Sequence, residues 1–135
     1  MTFLRPLVRE PQAAWMLTSE SGTMVASQLE AALDSESRRR GLLGRDTLID
    51  SALVIAPCSA VHTLFMRFAI DVLFVSRSGR VVRMRHAVSP WRIAFAWRAF
   101  AAIELPAGTV RRAGLREGDH LTIRPAVSSG AGRGR

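Results

Sequence analysis

Apolar residues in this chain fall mostly at a period of two or in short unbroken runs, the patterns of half-buried and fully buried strands. Ile70 to Val75 predicts a core strand in which Ile70, Val72 and Phe74 share one face and Asp71, Leu73 and Val75 the other. Ser76-Arg77-Ser78-Gly79 predicts a hairpin turn, and Arg80 to Val88 a half-exposed partner strand with its arginines outward. Ala52 to Ala56 predicts a short buried strand stopped by Pro57, which cannot donate to a ladder. Ala13 to Leu33 predicts two or three short strands about a turn at Ser21-Gly22, with Leu29 to Leu33 readable as strand or as the start of a helix. Phe100 to Leu105 predicts a further core strand closed by Pro106-Ala107-Gly108, and a turn at Glu117-Gly118 feeds an alternating strand to Ile123.

Helical signals are fewer. Asp34 or Ser35 can cap a helix and Glu36 then sits in its first turn, which predicts a short helix from about Ser35 to Leu43 ended by Gly41 and Gly44. Thr109 to Ala113 predicts one or two helical turns capped by Gly114. Together these elements predict a β-rich α+β fold, mostly antiparallel, with one or two short helices. The expected domain covers residues 13–125, after an N-terminal extension (1–12) and before a disordered C-terminal tail (126–135).

Composition narrows the setting. A chain of 135 residues is the size of one domain, and no apolar run approaches the ~20 residues of a membrane-spanning helix. Pro6 and two arginines break the first ten residues before an apolar signal core develops, so a cytoplasmic location is expected. The single Cys58 fits a reducing compartment. A net charge of +8 points toward anions, but every cation is an arginine, as compositional bias produces, and two lie in the Gly-rich tail. Arg38, Arg39 and Arg40 predict a solvated helix face.

The longest apolar segment, Cys58 to Val75, contains a thiol, an imidazole, a guanidinium and a carboxylate. If Val61 to Met66 is extended, His62 and Met66 share a face; two ligands fall short of a zinc or copper(I) site, so no metal or cofactor is expected. Asp71 and Glu104 each interrupt an apolar strand, and a buried carboxylate needs partners. Arg67 and Arg45 are the expected cations, either locked in ion pairs that fix the sheet or partly free to hold an anion bidentately. Cys58 with His62 as base offers a thiol-dependent hydrolase or transferase as an alternative, although a lone Cys in apolar surroundings is more often a small hydrophobe. Trp91, Phe95 and Trp97, interleaved with arginine, predict a lid or partner patch; weak single-stranded nucleic-acid binding is a further alternative that the discounted charge disfavours.

Four blocks together resemble the domain-of-unknown-function 192 family. They are Arg38-x-Arg40-Gly41-Leu42-Leu43-Gly44-Arg45, then His62-Thr63-x-x-Met66-Arg67-x-x-Ile70-Asp71-x-x-Phe74, then Glu104-Leu105-Pro106-Ala107-Gly108, and Gly114-Leu115-x-x-Gly118-Asp119-x-Leu121. The resemblance covers roughly residues 25–124 and implies a compact β-rich domain with an irregular barrel-like sheet and short helices, but no activity. Residues and resemblance together predict a monomeric, non-catalytic binding or interaction module. Its polar cleft, built from His62, Met66, Arg67 and Asp71 with Arg45 and Glu104, would take a small anion or a carboxylate-bearing partner.

Overall fold

Strands that are apolar on both faces must be covered by a layer on each side, and the middle of this molecule is built that way. A computed structural model describes residues 3–126. Its elements run α1 (Arg5–Arg9), β1 (Trp15–Ser19), β2 (Met24–Ala26), β3 (Gln28–Ala32), α2 (Ser35–Arg40), β4 (Ser51–Ile55) and β5 (Ala60–His62). There follow β6 (Ile70–Val75), β7 (Val81–Val88), β8 (Ile93–Phe95), β9 (Ala101–Pro106), α3 (Thr109–Ala113) and β10 (Leu121–Pro125).

The central sheet has the order β3-β4-β9-β6-β7, with β3 and β4 parallel and every other neighbour antiparallel. Alternation along β6 divides the core as expected. Leu73 and Val75 join Val54, Ile103 and Leu105 on one face, whereas Ile70, Val72 and Phe74 join Leu53, Ile55 and Ala102 on the other. The first face is covered by the sheet β10-β1-β2 with Leu7 of α1 and Val110 of α3. The second is covered by the β5-β8 ribbon and by Leu42 and Leu48 from the chain after α2. The fold is thus the expected β-rich α+β class, and among the described residues no closed barrel forms.

Several elements differ from expectation for identifiable reasons. The segment read as an extension contributes α1 and places Phe3, Leu4 and Leu7 in the core. Phe3 packs so closely on the β6-β7 turn that a Cβ at Gly79 would lie 2.6 Å from its ring and 2.8 Å from the Leu121 carbonyl oxygen. The stretch from Leu29 resolves as strand as far as Ala32, held by parallel pairing to β4. Helix α2 starts where expected, with the Asp34 carboxylate accepting from the Ser37 N–H at 2.8 Å. It stops at Arg40, earlier than expected, because Gly41 turns the chain with φ 48° and ψ −126°, a conformation L side chains resist. The tail lies, from residue 127, outside the described residues. Among the described residues no helix is long and apolar enough to cross a membrane.

Candidate functional site: a cleft over a buried glutamate

Both strand-interrupting carboxylates are buried, Asp71 at 0% exposure and Glu104 at 3%. Asp71 does not pair with Arg67. Its Oδ1 accepts from the Ala87 N–H at 2.8 Å, and its Oδ2 accepts from Gly108 at 3.1 Å and Val110 at 2.9 Å. The last two are free N–H groups at the start of α3, which such an oxygen satisfies in place of a local cap. Ala87 stands where the β6-β7 register shifts and has φ 45°. One carboxylate therefore ties a strand irregularity and a helix start to the central sheet, outside any cleft. Arg67 pairs with the Asp46 carboxylate at the surface, where both side chains are largely exposed.

Glu104 has the opposite surroundings. It follows Ala102 and precedes Pro106 on the sheet face that looks toward α2 and β5, and its buried Oε1 has no hydrogen-bond partner among the described residues. Burial pushes its carboxyl up to about 7, and the nearby Arg45 guanidinium opposes this only in part. The turn after α2 lies over it, so that a Cβ at Gly41 would sit 3.9 Å from Oε1. Above this oxygen is a cleft of about 280 Å³ lined by Glu104, Arg38, Arg40, Cys58, His62 and Met66 among others.

The walls follow from local chemistry. Arg38, half-buried rather than solvated, donates from Nη1 to the Leu33 carbonyl at 2.7 Å and to Ala56 at 3.5 Å, joining α2 to the ends of β3 and β4. The expected extended run Val61 to Met66 ends at Thr63. That buried hydroxyl donates to the Ser89 carbonyl at 2.6 Å and accepts from the Arg92 N–H at 2.8 Å, and a turn follows in which Phe65 has φ 65°. His62 and Met66 meet the same cleft through this turn rather than through strand alternation. Arg45 is not among the lining residues; its two terminal nitrogens clasp Glu30 at 3.0 and 2.8 Å and hold that carboxylate below its usual range.

Of the residues singled out in the sequence, His62, Met66 and Glu104 converge, Arg45 acts on Glu104 through its charge, and Arg67 and Asp71 lie elsewhere. Arg38 and Gly41 were missed as site residues. The Arg38 to Arg45 block of the resemblance was the available signal, obscured because a run of arginines also describes a solvated face. Cys58 lines the cleft with its Sγ–H 3.0 Å from the Ala60 carbonyl oxygen, but burial pushes the thiol up, which favours the unreactive protonated form. Among the described residues no three His, Cys, Asp or Glu side chains gather as metal ligands.

Residues 16–123, most of the chain and every wall of the cleft, match the sequence model of DUF192, described as "uncharacterized ACR". The chain belongs to the domain-of-unknown-function 192 family. Two solved structures share the DUF192 chain's fold. A protein from Sinorhizobium meliloti 1021, described as a candidate transcription regulator, is 24% identical with a TM-score of 0.71, over 80% of this chain and 90% of that one. A protein of unknown function from Novosphingobium aromaticivorans DSM 12444 is 21% identical with a TM-score of 0.66, over 80% and 82%. No curated protein matches the chain.

Proposed function

We propose that this DUF192 domain is a binding module whose cleft over Glu104 takes a small anion bearing a carboxylate or similar oxyanion. The observation that carries the reading is the Oε1 of Glu104, a buried polar atom unpartnered among the described residues, in a cleft whose rim includes Arg38 and Arg40. An unsatisfied buried oxygen costs about 1–3 kcal/mol, and a ligand that bonds to it recovers that cost. With its carboxyl pushed up to about 7, Glu104 can be a neutral acid near neutrality and donate a proton to a ligand carboxylate, as other acids in apolar sites do. The guanidiniums and His62 then meet the ligand's charge. Arg67 and Asp71 have no part in this version of the cleft.

Protonation makes the reading testable with succinate as the probe. An anion beside an ionised carboxylate is repelled, so calorimetric affinity for succinate should fall as pH rises through 7, by up to tenfold per unit above it. Glu104→Gln keeps an N–H donor at every pH and should bind succinate without that dependence. Absence of binding by both proteins at pH 6, or an identical pH dependence in both, overturns the proposal.

A further inference from the structure

Strand β8 of the β5-β8 ribbon is built inside out, although Val61 of β5 points inward. Ala94 and Ala96 point to the core at 1% and 8% exposure, while Ile93, Phe95 and Trp97 face solvent at 65%, 55% and 76%. Trp91 and Phe65, at 55% and 69% exposure, extend the same patch, and their rings meet at 4.6 Å. A strand with one wet face ordinarily places its large apolar side chains inward. Here alanines fill the core, and five of the seven exposed large hydrophobic residues among the described residues collect on one side. Patches of this kind mark interaction surfaces.

Charge selects the partner. Between Asp50 and Glu104 the sequence contains seven arginines and a single acidic residue, Asp71, which is fully buried. Arg83 lies 5.8 Å from the Phe95 ring centroid and donates to the Phe95 carbonyl at 3.2 Å. Arg98 lies 4.8 Å over Trp97, and Arg92 donates to the Trp91 carbonyl at 3.3 Å. Guanidiniums thus alternate with exposed rings, with no exposed carboxylate in this stretch to complement a mixed-charge protein surface. The faces of Phe95 and Trp97 lie under arginines, and Trp91 packs on Phe65, which leaves poor platforms for stacked bases. Indole and phenyl rings ringed by arginine suit the boundary between acyl chains and anionic headgroups, where aromatic residues partition and guanidiniums reach the phosphates.

We propose that the outer face of the β5-β8 ribbon docks peripherally on an anionic lipid bilayer. Contact is shallow and reversible, since an apolar patch and a basic surface act together without a spanning segment. Co-sedimentation with phosphatidylcholine vesicles containing about one third phosphatidylglycerol tests it, with pure phosphatidylcholine as the neutral control. Expected are a partition at least ~10-fold higher on the anionic vesicles, weakening in high salt, and a blue shift of tryptophan emission. Trp91→Ser with Trp97→Ser should lower the partition ~10-fold or more, as should Arg92→Glu with Arg98→Glu, by loss of apolar and electrostatic contact respectively. These side chains are exposed, and circular dichroism verifies that the variants fold. The proposal is overturned if wild-type protein stays in the supernatant, if either double variant sediments like wild type, or if oligo(dT) is bound and vesicles are not. Ribbon-dependent self-association without vesicle binding overturns it equally, by assigning the patch to a second copy of the chain.

Discussion

Asp71 and Glu104 stand on adjacent central strands, one residue out of register, with Asp71 opposite Leu105 and Val72 opposite Glu104. Both are acids in apolar strands and both are buried, yet among the described residues Asp71 receives three backbone N–H groups and Glu104 Oε1 receives none. The difference comes from the opposite faces they occupy. Asp71 looks toward α3, whose first turn has N–H groups to satisfy, while Glu104 looks toward the loop after α2, where Gly41 brings backbone close without donating. One carboxylate is consumed by the fold. The other retains bonding capacity, which is what the proposed ligand would use.

Removing Asp71 should have the largest effect. Asp71→Ala strands three N–H groups in or beside the core, at a cost of roughly 3–5 kcal/mol, which chemical denaturation would read directly. Asp71→Asn retains one acceptor oxygen and should lose less. If Asp71→Ala unfolds within about 1 kcal/mol of wild type, the contrast with Glu104 collapses.

Glu104→Gln should act in the other direction at alkaline pH. The folded carboxyl, at about 7, lies above its ordinary value of 4.5, so the folded state keeps a proton that the unfolded chain releases. The contribution of Glu104 to stability is therefore greatest below pH 4.5, falls as pH rises through about 7, and levels off beyond. The gap corresponds to about 3 kcal/mol in total. Urea unfolding at pH 8 should find Glu104→Gln more stable than wild type by about 2 kcal/mol, with near equality at pH 5. A variant less stable than wild type at pH 8 would show that Glu104 is satisfied after all.

How much of this contrast could be read beforehand depends on how local its causes are. The split of Ile70, Val72 and Phe74 from Leu73 and Val75, the Asp34 cap and the Gly114 stop follow from neighbours in sequence, and all were legible. Burial of both carboxylates was legible as well, because each interrupts an apolar run. Their partners were not. Asp71 bonds backbone N–H groups 16, 37 and 39 residues away, and Arg67 finds Asp46 21 residues back. Side-chain pattern is silent about backbone donors, so a search for cations had to miss them. Strand β8 escaped for a similar reason, since its pairing is with β5, some thirty residues earlier, and its inverted alternation hides the usual inward face.

Gly41→Ala should have an intermediate effect. With φ 48° and ψ −126° the backbone there resists any side chain, at a cost of about 1–2 kcal/mol. The added methyl would also contact Oε1 of Glu104 at 3.9 Å. Gly44 supplies the control: its φ is 84°, but nothing lies within 4 Å of an added Cβ. Both alanine variants should lose stability by thermal denaturation, while only Gly41→Ala should weaken succinate binding. Equal weakening by both would mean that the loop as a whole, rather than its contact with Glu104, shapes the cleft.

The smallest effects separate the two arginines first expected to serve these acids. Arg67 and Asp46 are 62% and 80% exposed, and a pair so placed contributes little, so Arg67→Ala should change stability by no more than about 0.5 kcal/mol. Arg45 grips Glu30 through two bonds at lower exposure, 37% and 47%, and its loss should cost up to about 1 kcal/mol. Magnitude alone would barely distinguish them; pH dependence should. Arg45 lends Glu104 the one attraction that opposes its desolvation, so Arg45→Ala should move the alkaline fall in stability to higher pH. Arg67→Ala should leave it in place, because Arg67 is committed to Asp46 at the surface. Unfolding profiles of both variants from pH 5 to pH 9 would read the shift; coincident profiles would mean that Arg45, too, belongs only to the fold.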